Sequence, residues 1–430
     1  MIRIISVFFT IVLTSLYFFP FELKAFPGVN TKMMMAVLGS IILLCHMAQR
    51  RSLSFGRDMF ELLFLASAVS LIGLVSIVYN ATPDTAYASY IVSMLVWLSA
   101  AYGVCSIIEI VHGQCTLRLL CTYLAAVCVV QCALALLIDT YPAFKQMVDA
   151  HIEQGQHFLN MKKVHRLYGI GASLDVAGIR FSTALIMIIY LLVSPKYDKR
   201  WYHYLLYLLA FVFISVAGNI IARTTIVGLV LALAYLGWIT ISNLQNLISR
   251  RLHVWRWLVL ALVMCIPVLI YIYRASPSFQ KDMRFGFEGF FALAEKGPWE
   301  VSSNETLKTM YVYPESTKTW VIGDGYFSNP RDVDPNFVGK VTGGYYMGTD
   351  VGYLRFIFYF GVVGLAAFML FFVSTARCCM RLFVDDKVLI LLFLLSNFII
   401  WFKVSTDIFL VFALFLCMGW KLKSDNMNLC

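Results

Sequence analysis

His203–Ile221, HYLLYLLAFVFISVAGNII, and Arg223–Ile241, RTTIVGLVLALAYLGWITI, are two apolar runs with Arg223 the only Asp, Glu, Lys or Arg between them. An α-helix rises about 1.5 Å per residue, so each run is about 28 Å long, close to the roughly 30 Å of a bilayer's hydrocarbon core. A soluble helix of that length keeps a polar stripe for water, and neither run has one. Working outward, comparable runs occupy 2–20, 33–48, 60–78, 87–108, 117–138, 176–193, 256–273, 351–373, 387–402 and 404–420. The expected fold class is an all-α polytopic membrane protein with about twelve transmembrane helices, eleven to thirteen allowing for the short second, eleventh and twelfth runs. Only helices and closed barrels satisfy their own backbone groups in lipid.

Composition agrees. The chain has 430 residues, 60% hydrophobic and 13% charged, whereas soluble domains hold about 45–50% apolar and about 25% charged residues. No polar stretch looks able to fold alone, so 1–430 reads as a single membrane domain. The first run ends in Tyr17-Phe18-Phe19-Pro20 without the small residues of a cleavage site, which reads as an uncleaved first helix.

Basic residues orient the spans, because Lys and Arg accumulate on the cytoplasmic side. With the N-terminus inside, inner segments hold sixteen basic residues and short outer segments only four, Lys24, Lys32, Arg223 and Lys403. The expectation is N-in and C-in. All eleven cysteines then fall within spans or on the inner side, as suits residues kept from an oxidising compartment. The adjacent Cys378 and Cys379 lack a second cysteine pair or a nearby histidine and read as interfacial or acylatable thiols.

Two large outer loops follow, 139–175 and 274–350. The first has four basic and four acidic residues, the second eight and ten, so the net charge of +10 is the positive-inside excess rather than a polyanion surface, and nucleic acid is not an expected partner. In the second loop Phe279, Met283, Phe287, Phe290 and Phe291 recur at helical spacing. That pattern predicts an amphipathic helix at the membrane interface or packed on the bundle, covering its outer mouth. His151, His157 and His165 match no i, i+4 ligand pair and read as solvated residues.

Three arginines stand at the outward starts of spans: Arg180, Arg223 and Arg355. A cation there opposes the helix dipole at a cost of about 0.3–1 kcal/mol. If the three ends converge they form a strong anion site; the bland alternative is snorkelling to lipid phosphate.

Two stretches resemble the O-antigen polymerase and ligase superfamily. One is Ala217-Gly-Asn-Ile-Ile-Ala-Arg223, similar to the family's short outer turn but with Ala222 where Ser is usual. The other runs from Gly323-Asp-Gly325 to Gly348-Thr-Asp350-Val-Gly352-Tyr-Leu-Arg355 and on to Gly361-Val-Val-Gly364, similar to the end of the family's large periplasmic loop. Arg166-Leu-Tyr-Gly-Ile-Gly resembles the first-loop arginine. Ligases of the superfamily typically carry histidine where this chain has Thr349-Asp350, so the likeness leans to the polymerase (Wzy-like) branch. It implies an integral-membrane (GT-C-like) glycosyltransferase of the bacterial inner membrane. The donor glycan would sit on undecaprenyl pyrophosphate, a second lipid-linked repeat would accept it, and a chain-length regulator and flippase would be partners. No cofactor is expected.

Leaving pyrophosphate must be stabilised as charge develops. No carboxylate pair with metal-ligand spacing stands out, so no metal is expected and arginines are the stabilising groups, Arg223 first, with Arg180 and Arg355 in support and Arg166 on sugar or phosphate. Asp350 reads as general base, as the partner of an arginine, or as a helix cap. Tyr345, Tyr346 and Tyr353 suit sugar stacking or an interfacial belt. The competing class is a secondary transporter or glycan flippase, which would want repeated halves and mid-span charges; the chain has no internal repeat and few such charges. The nearest enzymatic alternative is the ligase.

Overall fold

Each of the twelve apolar runs coincides with a helix in the computed structural model, which describes residues 2–50, 56–153, 166–197, 199–242, 248–330, 337 and 344–427. Nine of these helices among the described residues are long and apolar enough to cross a membrane, so the chain is an all-α polytopic membrane protein. The other three are Ile2–Phe18 and Lys387–Ile400, which are shorter, and Phe409–Met427, whose apolar part ends at Leu422. Lys387–Ile400 has 14 residues, about 21 Å at the helical rise, less than a hydrocarbon core.

The chain forms two compact units, residues 1–39 with 103–300, and residues 40–102 with 301–430. In the first, helix α7 (Leu174–Val193) is central: every residue from Ala177 to Leu192 is buried. Its neighbour α9 (Thr225–Ser242) approaches closely because both helices carry glycine at the contact. A Cβ on Gly178 would run into the Thr224 side chain, and one on Gly228 into Ser182. Such small residues let backbones meet where lipid offers no hydrophobic drive between helices. The Ser182 hydroxyl also accepts from the Gly228 N–H at 3.2 Å. A two-residue antiparallel pairing, Glu22–Leu23 with Ile152–Glu153, is the sheet content of this unit among the described residues.

The aromatic stretch of the second loop is not one helix. It forms α11 (Pro277–Gly286) and α12 (Glu288–Lys296), parted at Phe287, which has φ −116° and ψ 28°. The break has a tertiary cause. The Asn219 amide donates to the Gly286 carbonyl at 2.7 Å, taking the acceptor that a continuing helix would offer to Phe290.

In the second unit, α15 (Gly352–Leu382) packs along α3 (Arg57–Tyr79) and is broken inside. Phe360 lies at φ −136° and Gly361 at φ +70°, a left-handed conformation that glycine adopts without strain. The carbonyls freed by the break are claimed by other segments. Asp324 N–H donates to the Phe358 oxygen at 2.6 Å and Gly325 N–H to the Tyr359 oxygen at 3.1 Å, and the Ser76 hydroxyl donates to Tyr359 at 2.6 Å. Broken helices survive in a membrane when protein satisfies the loosened backbone. The Gly323-Asp-Gly325 turn and the Gly361-x-x-Gly364 motif are thus two sides of one contact.

Cys378 and Cys379 are fully buried rather than interfacial, which removes the reading of them as acylatable thiols. The ten described cysteines form no disulfide.

Candidate functional site

Within the first unit, Arg223 lies in the turn between Ile221 and Thr225. Its guanidinium carbon is 4.0 Å from the centre of the Phe285 ring, and that of Arg166 is 4.9 Å from the same ring. The Asn219–Gly286 hydrogen bond places Phe285, because it ties the end of α11 to the residues just before Arg223. Glu288, first residue of α12, reaches Arg223 at 2.9 Å. Burial lowers the pKa of Arg223, the Glu288 carboxylate offsets that, and Arg166 adds to the lowering, with Asp175 opposing. Two like charges on one ring, partly desolvated, are what a dianionic ligand would relieve.

Arg180 lies in the second turn of α7, deeper than its expected place at the helix start, and is 4% exposed. Its guanidinium stands 5.4 Å over the Phe19 ring. The glycine two residues before it, Gly178, packs on Thr224, the neighbour of Arg223. Arg180 and Arg223 therefore come from backbone segments in contact.

Arg355 belongs to the second unit and is differently employed. It is 7% exposed and held between two rings, 3.6 Å from Phe327 and 4.3 Å from Tyr345. It donates to the Ser405 hydroxyl at 2.6 Å and to the Phe327 carbonyl at 2.9 Å. Asp350 lies 4.0 Å from it. The helix cap reading of Asp350 does not hold: Val351 occupies the cap position of α15, and it is the Thr349 hydroxyl that accepts the Val351 N–H, at 3.3 Å. The Asp350 carboxylate instead faces an arginine whose other bonds hold it still.

The three tyrosines part company. Tyr345 is exposed and covers Arg355. Tyr346 stacks on Tyr326 at 5.4 Å and donates to Asp324 at 3.3 Å; burial first, then Asp324, raises its pKa well above the usual tyrosine value. Tyr353 donates to the Phe398 carbonyl at 2.9 Å and packs on Trp401.

Sequence reasoning missed four residues here. Asp84 accepts from Phe327 N–H at 2.8 Å and Ser328 N–H at 3.3 Å, fixing the loop that carries the Arg355 platform. Ser405 binds Arg355 directly. Asp407 accepts from the Tyr90 hydroxyl at 3.2 Å, and Tyr87 is set among Phe327, Phe356 and Tyr359. Their signals were a Pro83-Asp84 turn between spans and the polar run Ser405-Thr-Asp407 between the last two apolar runs.

Among the described residues, one group has metal-ligand proximity: Asp58, Glu61 and Cys378, with ligand atoms within 4.8 Å of one another. The Arg381 guanidinium already lies 2.8 Å from Asp58 and 3.7 Å from Glu61 and supplies the positive charge those carboxylates need. His151 donates to the Met147 carbonyl at 2.9 Å; His157 and His165 lie outside the described residues.

Compared with known proteins, the chain matches no family model, no curated protein and no solved structure.

Proposed function

We propose that this chain is an integral-membrane glycosyltransferase that polymerises lipid-linked oligosaccharide repeat units. The observation that supports it most is the pairing of Arg166 and Arg223 on the Phe285 ring, with the buried Arg180 on the adjoining backbone. Guanidiniums locked on aromatic faces are preorganised donors, and a pyrophosphate leaving group needs such donors where its charge appears.

In this reading the termini are inside, the two large loops face the periplasm, and the arginine cluster meets a donor glycan carried on undecaprenyl pyrophosphate. An acceptor hydroxyl from a second lipid-linked repeat attacks the donor's anomeric carbon. The bond from that carbon to the pyrophosphate oxygen breaks, its electron pair leaves with undecaprenyl pyrophosphate, and a base takes the hydroxyl proton. The arginines perform the stabilisation without a metal.

Arg223→Ala and Arg223→Lys, expressed in a strain lacking the native gene, test the proposal through the length of the surface glycan. Single repeats capping the lipid, with normal insertion of the protein, are the expected result. Full-length glycan from both variants would overturn the pyrophosphate role. Undecaprenyl-linked polymer left untransferred in the deletion strain would favour a ligase, and loss of both repeats and polymer a flippase.

A further inference from the structure

The Glu288 carboxylate lies 2.9 Å from Arg223, the arginine that shares the Phe285 ring with Arg166. The pair is asymmetric, since the Arg223 side chain is 12% exposed and that of Glu288 31%. The arginine is sunk and stacked, and the carboxylate comes from the more open side. Glu288 is also the first residue of α12, just after the break at Phe287.

We infer that Glu288 is a resident competitor for the anion site, seated on Arg223 when pyrophosphate is absent and reclaiming it once the product dissociates. The inference rests on the assignment of Arg223 to the pyrophosphate. It adds a reason why a site rich in arginine does not hold its leaving group indefinitely. A carboxylate attached to the same chain closes on Arg223 at high effective concentration, whereas free pyrophosphate must compete for it. Undecaprenyl pyrophosphate, once it dissociates, faces the same competition and rebinds less readily.

The magnitude follows from occupancy. If the ion pair is closed about nine-tenths of the time, apparent anion affinity is reduced about tenfold relative to a chain without the carboxylate. Glu288→Gln keeps the shape and removes the charge. Titrating inorganic pyrophosphate into the purified full-length protein in detergent should show about tenfold tighter binding for Glu288→Gln than for the unaltered protein. Glu288→Ala should shift in the same direction. In an Arg223→Ala background neither change should matter, because the seat being contested is gone.

A purely structural Glu288 predicts the opposite sign, weaker binding together with a lower melting temperature. Unchanged or weaker binding in Glu288→Gln, with binding still dependent on Arg223, would overturn the competitor role and leave the anion site standing. Pyrophosphate binding indifferent to Arg223→Ala would overturn both the anion-site assignment and this inference.

Discussion

The role proposed for Arg223 depends on its guanidinium being flat. A guanidinium at 4.0 Å from the Phe285 ring keeps its donors in one plane, whereas a lysine ammonium is a point charge on a flexible stem. Arg223→Lys should therefore lose nearly as much polymer as Arg223→Ala, by roughly 10²-fold, the usual cost of removing one donor to developing negative charge. Radiolabelled repeat units incorporated by membranes would measure it, and a lysine variant at wild-type rate would show that charge alone suffices. Gly361, at φ +70° with its missing Cβ directed at the Val321 carbonyl, makes a separate residue-scale prediction. Gly361→Ala should cost about 1–3 kcal/mol and lower the melting temperature in detergent. Tyr346 supplies a pH dependence. Its folded pKa is raised above the usual 10.0, so its stabilisation is whole below about pH 10 and is lost as pH rises from there through the folded value. Tyr346→Phe should flatten the fall in melting temperature on the alkaline side of pH 10; an unchanged slope would assign that fall to other groups.

At the scale of elements, the outcome turns on backbone groups taken by side chains or turns from elsewhere. The helical spacing of Phe279 to Phe291 was legible, and both halves are helical. The break at Phe287 was not, because Asn219 supplies it from a distant span. Likewise the Gly361-x-x-Gly364 spacing was visible, but the break in α15 depends on the Asp324 and Gly325 N–H groups that receive its carbonyls. The α7–α9 contact offers the cleanest element-scale test. Gly228→Leu places a branched side chain against Ser182, and overpacking of this kind costs about 1–3 kcal/mol. Thermal aggregation of the detergent-solubilised variant should begin at a lower temperature, and the Arg180 and Arg223 segments should loosen together, read as faster amide exchange at both. An effect confined to α9 would argue against their coupling.

For the whole molecule, the predicted orientation is open to chemical labelling. After Cys45, Cys265 and Cys430 are replaced by serine, the remaining cysteines are buried. A cysteine introduced at the exposed Asn304 should react with a membrane-impermeant maleimide in intact spheroplasts, and one at the exposed Arg57 only after permeabilisation. The reverse pattern would invert the topology and take the arginine cluster to the wrong side of the membrane for an extracytoplasmic reaction. What the sequence by itself determined is the class of fold and the position of the apolar helices. Transfer of each side chain from water to lipid is a local quantity that sums along the chain without knowledge of contacts. What only the tertiary structure decided is how the charges are employed. Arg223 and Arg166 share one ring and Glu288 sits on Arg223, whereas Arg355, alike on paper, gives its donors to Ser405 and Phe327. Those partners lie far apart in the chain, and a buried guanidinium's role is set by whichever groups the fold brings to it.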